Sequence, residues 1–138
     1  MLEKTVYITR KARFNAAHKL WNPNWSYEKN HEVFGKCANE NWHGHNYELH
    51  VTVKGVPNPD TGFCMDLKTL SDIIKQFVEE PLDHRNINLD VEWMKGKMAS
   101  TENLIIGTLI SPAIAIIEVI LVTFSLSSKI LHAIIYIK

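Results

Sequence analysis

Net charge is absent from this chain: 15 basic side chains are balanced by 15 acidic ones across 138 residues. A neutral balance offers no attraction to a polyanion, so nucleic acid is not the expected partner. Cysteine is nearly absent too. Cys37 and Cys64 are the two in the sequence, far apart and in no C-x-x-C pair. That excludes a disulfide scaffold and favours a reduced, cytoplasmic setting. Met1 to Thr5 carry no apolar run ending in small residues, so no secretory leader is expected. There is no internal repeat, and a chain of 138 residues fits one domain with a real core.

Histidine is what the sequence has in excess, with seven. Neutral imidazole is the commonest protein metal ligand, so their spacing matters. Residues 4–18 read as a strand with Phe14, Ala16 and His18 on one face at period two. Residues 19–42, rich in Asn, Trp, Pro and Lys, show no period and read as a long loop. Residues 45–55 alternate Tyr47, Leu49, Val51 and Val53 against Glu48, His50, Thr52 and Lys54, a half-buried strand. Gly55 to Gly62 is a turn. Asp66 caps a helix whose stripe is Leu67, Leu70, Ile74 and Phe77, and Pro81 is expected to stop it. Ser100 or Thr101 starts a second helix. Strand, strand, helix, helix implies an α+β fold, with two helices on one face of an antiparallel sheet.

His43-Gly44-His45 places two imidazoles on the same side of an extended segment, with Gly44 expected to keep the space between them clear. His18, at the end of the first strand, can supply a third nitrogen. Three nitrogens with an open fourth position suit a catalytic Zn2+ rather than a closed structural site or a magnesium site. An H-x-H pair also arises by chance on surface strands. His31, His50 and His132 read as structural or surface residues, and Cys64, between Phe63 and Met65, as a partly buried thiol.

Four ordered motifs sharpen this. Phe14-Asn15-Ala16-Ala17-His18 resembles the F-x-A-x-H motif of the 6-pyruvoyl-tetrahydropterin synthase family. Phe34-Gly35-Lys36-Cys37 followed by His43-Gly44-His45-Asn46-Tyr47 resembles its F-G-x-C…H-G-H-N-Y block. Leu82-Asp83-His84-Arg85-Asn86 and Ser100-Thr101-Glu102-Asn103 resemble its L-D-H-[KR]-N and [ST]-x-E-N motifs. The resemblance covers residues 5 to about 103. It implies the tunnelling fold, subunits associated around a barrel as a homo-oligomer (a hexamer), and 7,8-dihydroneopterin triphosphate as substrate. One branch of the family forms 6-pyruvoyl-tetrahydropterin for tetrahydrobiopterin; a related one forms 6-carboxytetrahydropterin for queuosine. The interval between Cys37 and His43 is closer to the pyruvoyl branch. The resemblance further implies Cys37 as base, His84 as proton relay oriented by Asp83, and substrate contacts at Thr101, Glu102 and Arg85. Lys36 and Lys19 join Arg85 as candidate partners of the triphosphate.

Residues 104–138 depart from the pattern. They are crowded with isoleucine and carry Glu118, Lys129 and Lys138 as their charges. The family's glutamate that anchors the pterin follows a tyrosine. Here Tyr136 is followed by Ile137, and the family's closing strand is missing. We read this tail as the product of an altered reading frame, ahead of a divergent natural ending. A membrane segment over 104–126 is disfavoured by Glu118, Gly107 and Pro112. The rival to an active enzyme is a metal-binding but catalytically impaired paralogue.

Overall fold

In the computed structural model the described residues are 4–110 and 131–137, with side chains described as far as Thr108. The membrane reading of 104–126 falls largely outside them. No described helix is long and apolar enough to cross a membrane.

The frame is two long strands, β1 (Val6–His18) and β2 (His43–Gly55), paired antiparallel from Val6↔Gly55 to His18↔His43. Alternation decides which side is buried. Ala12, Phe14 and Ala16 of β1 and Tyr47, Leu49, Val51 and Val53 of β2 enter the core on one face. The other face bears cross-strand polar pairs, including Thr9 with Thr52 at 2.9 Å and Arg13 with Glu48 at 3.0 Å. A two-residue strand β3 (Arg85–Asn86) adds parallel to β1, and β4 (Leu131–Ile137) adds antiparallel to β2. The sheet order is therefore β3-β1-β2-β4, mixed rather than wholly antiparallel.

Three local expectations are corrected. The segment 19–42 is not all loop: it holds α1 (Tyr27–Phe34) and a 3-10 turn (Gly35–Ala38). Ser26 caps α1 by accepting from Lys29 N–H at 3.1 Å. The fully buried Asn30 ties the preceding loop down, accepting from Asn22 N–H at 2.7 Å and donating to Ser26 O at 3.0 Å. The helix capped by Asp66, α2 (Leu67–Ile74), buries Leu70, Ile73 and Ile74, while Leu67 is exposed. Nor does Pro81 stop it. The chain widens into a π turn over Lys75–Glu79, where Glu80 N–H donates to Lys75 O, and continues as α3 (Glu80–Leu82). In a tight α-turn the proline ring would clash with the carbonyl four residues back; the wider turn relieves this.

The last described helix is α4 (Thr101–Ile110). Ser100 Oγ accepts from Asn103 N–H at 3.3 Å at its start. Leu104 completes the core with Leu70, Ile74, Val78 and Met94, all on the apolar side of the sheet. Gly107 lets α4 approach the Trp93 ring. A Cβ there would fall inside the van der Waals envelope of Trp93 Cε3 and Cζ3. Gly107→Ala should gain about 1 kcal/mol of helix propensity but lose about 1–3 kcal/mol to overpacking. Urea titration is expected to show a net loss of stability.

Candidate metal centre and adjoining cleft

His18, His43 and His45 come together where the β1–β2 ladder ends. His18 is directly opposite His43, and His45 is opposite Ala16, so all three project from the same side of the sheet. Their candidate ligand nitrogens lie within 4.8 Å of one another. The ring centroids are 4.6 Å (His18–His43), 5.0 Å (His18–His45) and 4.8 Å (His43–His45) apart. Tyr47 lies beneath, 5.9 Å from the His45 ring and stacked on Phe14 at 4.9 Å. Burial pushes its phenol up to about 12.

The donor set fits a metal ion. His18 Nδ1 donates to the Ala99 carbonyl at 2.7 Å; a carbonyl only accepts, so the proton is on Nδ1 and Nε2 carries a lone pair. That Nε2 is buried with no hydrogen-bond partner, as are both ring nitrogens of His43. Orphaned buried nitrogens are costly unless something else satisfies them. A backbone carbonyl fixing the far nitrogen is also how metal-ligating histidines are commonly oriented. Burial, followed by repulsion from neighbouring imidazoles, holds the pKa values of His18 and His43 below the ordinary 6.5, although the Ala99 hydrogen bond partly opposes this for His18. Both are thus neutral at pH 7, the state in which imidazole ligates.

Gly44 does not serve to clear space between the rings. A Cβ there would make ordinary contact with Ala16 O at 3.6 Å. It lies on the opposite side of the strand pair and lines a cleft of about 620 Å³ with Asn15, Ala17 and Asn46. His45, His84 and Arg85 also line that cleft. His84 is held at its rim in the left-handed region, φ 57. Its N–H donates to Asn15 O at 2.6 Å, while Asp83 accepts from Asn15 N–H and from His84 Nδ1, each at 2.8 Å. The Asn15 N–H, then the His84 ring, hold the Asp83 carboxyl below its usual range.

The other candidates are more dispersed. Cys37 is half-buried on the 3-10 turn, and its carbonyl accepts from Leu20 N–H at 2.8 Å, two residues past His18. Among the described residues no hydrogen bond or ring contact joins Cys37 or His84 to the three imidazoles. Thr101 and Glu102 open α4 and are not among the residues lining the cleft. Lys36 is exposed beside Cys37, whereas Lys19 lies over the rings of Trp42 (4.6 Å) and Trp21 (5.4 Å). His50 bonds Glu48 at 2.7 Å and His31 bonds Tyr27 O at 3.0 Å, both structural partnerships. Cys64 is buried and its pKa raised by that burial. The His132 side chain lies outside the described residues. Ala99, Asn15 and Asn88 are contributors that sequence reasoning missed. Ala99 and Asn15 act through backbone groups, which leave no side-chain signal.

A family model described as 6-pyruvoyl tetrahydropterin synthase matches residues 7–115. The chain belongs to that family. Among its relatives, the 6-pyruvoyl tetrahydrobiopterin synthase of Dictyostelium discoideum is 41% identical over 103 residues, 75% of this chain and 75% of that protein. The Homo sapiens protein of that name is 40% identical over 97 residues, 70% of this chain and 67% of that one. The structure of Caenorhabditis elegans 6-pyruvoyl tetrahydropterin synthase superposes with a TM-score of 0.72 at 38% identity, covering 77% of this chain and 75% of that one. The Plasmodium falciparum synthase, at 16% identity and a TM-score of 0.59, shares the fold, over 97% of this chain and 99% of that one.

The lowered histidine pKa values set a pH dependence. Below 6.5 an unfolded chain takes up protons at His18 and His43 before the folded one does, so folding stability present above 6.5 is lost as pH falls toward the folded values. The metal-free protein is expected to show a lower denaturation midpoint at pH 5 than at pH 8, with the decline starting near pH 6.5.

Proposed function

We propose that this chain is a zinc-dependent lyase converting 7,8-dihydroneopterin triphosphate to a tetrahydropterin with loss of triphosphate, the 6-pyruvoyl product being favoured over the 6-carboxy one. The observation that carries the reading is the buried, unpartnered Nε2 of His18 facing two further imidazoles, in a chain whose relatives are named as synthases of this kind. Zinc is favoured by a donor set of three imidazole nitrogens. When bound it would supply Lewis-acid polarisation of the substrate's side-chain oxygens.

The chain's own residues account for the rest of this reading. The Ala99 carbonyl keeps His18 in the tautomer with Nε2 free. Asp83 occupies Nδ1 of His84, leaving Nε2 to exchange a proton. Cys37 is the proton acceptor at the substrate carbon. Arg85 is a cation at the cleft wall for a phosphate group, and among the described residues it has no ion-pair partner. Thr101 and Glu102 are the contacts offered by the start of α4. Self-association of copies belongs to the same reading, and a cytoplasmic location fits its soluble chemistry.

A second reading, a metal-binding chain with impaired turnover, rests on one register position. Ile137 is in register with Tyr47, two residues along β2 from His45, and isoleucine cannot accept the pterin's hydrogen bonds.

The purified protein is expected to release triphosphate from dihydroneopterin triphosphate, to lose this with a chelator and to regain it with Zn2+. Cys37→Ala should lower the rate by about 100- to 10,000-fold, the usual worth of a positioned base. Absence of release from protein that still binds zinc would favour the impaired paralogue. In that case Ile137→Glu is expected to raise pterin affinity, measured by titration with a non-reacting pterin.

A further inference from the structure

The imidazoles sit at the frayed end of a ladder. Beyond His18↔His43 the β1–β2 register stops. On its other edge β1 pairs with Arg85–Asn86 at Ala16 and Ala17, just past the His84 N–H that donates to Asn15 O. Ile87 N–H then donates to Ala17 O at 2.8 Å. On this edge the ladder ends at that bond, one residue before His18.

A side chain continues it. Asn88 Oδ1 accepts from Lys19 N–H at 3.0 Å, and Asn88 Nδ2 donates to Lys19 O at 3.0 Å. A primary amide carries the same donor and acceptor as a peptide group, so Asn88 supplies one further rung, directly past His18. The rung is itself braced. Asn88 N–H donates to Asn86 Oδ1 at 3.0 Å, and Asn86 N–H donates to Asp90 Oδ2 at 2.7 Å. His18 thus has a fixed peptide on each side, and its ring is fixed by Ala99. The next residue, Leu20, holds the carbonyl of Cys37, so the rung also sets the turn that carries the thiol.

We propose that Asn88 is a positioning residue for the metal centre: its amide presets the His18 backbone, and through Leu20 the Cys37 turn. This rests on the metal reading above. Aspartate at this position keeps an acceptor for Lys19 N–H but sets a carboxylate against Lys19 O; alanine loses both bonds. The effect should therefore be graded, alanine worse than aspartate.

The test uses Co2+ alone as a spectroscopic probe, on the full chain and on Asn88→Ala and Asn88→Asp. Affinity is measured by competition with a chelator, coordination by the visible d–d bands, and folding by thermal melts of the metal-free proteins. Asn88→Ala is expected to weaken Co2+ binding about 10- to 100-fold, the usual effect of losing a residue that orients a ligand, and to change the band intensities. Asn88→Asp should fall between it and the parent. If Asn88→Ala does not fold, Asn88→Asp carries the same comparison. Variants with the parent's Co2+ affinity and spectrum would overturn the proposal, whatever their melting temperatures. A parent chain that binds no Co2+ would instead overturn the metal reading itself.

Discussion

The pairing of His18 with His43 across the end of the β1–β2 ladder is the constraint on which the site depends. The face that carries the imidazoles is the face that carries Phe14, Ala16, Tyr47 and Leu49 into the core. Burial of those side chains therefore fixes the register, and the register fixes which nitrogens meet. A slip of one residue between the strands would turn the aromatic core outward and separate the histidines together. The centre needs no dedicated scaffold: the hydrophobic effect that aligns the strands also assembles the donors, at each fully buried apolar side chain contributing about 1.5–3 kcal/mol.

What the sequence disclosed follows from this. Strand alternation at period two put Phe14, Ala16 and His18 on one side and His43 with His45 on another segment's matching side, and the structure brings these faces together. The Asp66 cap and the start of α4 at Ser100–Thr101 were equally legible, because capping is a local exchange between a short polar side chain and the next few amides. What stayed hidden depended on distant partners. Helix α1 sits in a segment without apolar period, and its entry is organised by Asn30, whose amide bonds to backbone groups of Asn22, Trp25 and Ser26. Pro81 looked like a stop because the π turn that accommodates it has no composition of its own. The roles of Ala99 and Asn15 pass through main-chain atoms.

The chain's ending raises a different question from its core. The family match reaches residue 115, and the strand described beyond it, β4, pairs with β2 from Tyr47↔Ile137 to Val53↔Leu131. Pairing satisfies backbone donors and acceptors whatever the side chains are. A strand can therefore occupy this place on the sheet with isoleucine at position 137. The edge of the sheet is thus completed by backbone groups, independently of which residue stands at position 137.

The bareness of the strand pair at Ala17 and Gly44 has a last consequence. These neighbours, in register with one another, form part of the cleft wall, while the adjacent His18 and His43 send their rings to the reverse side and His45 borders both. Two layers of chemistry thus share one thickness of backbone. A side chain added at position 44, where a Cβ meets nothing closer than 3.6 Å, would reshape the cleft wall from the side of the backbone away from the His18 and His43 rings. The shape of the cleft and the meeting of the imidazoles are thus set from opposite sides of one strand pair.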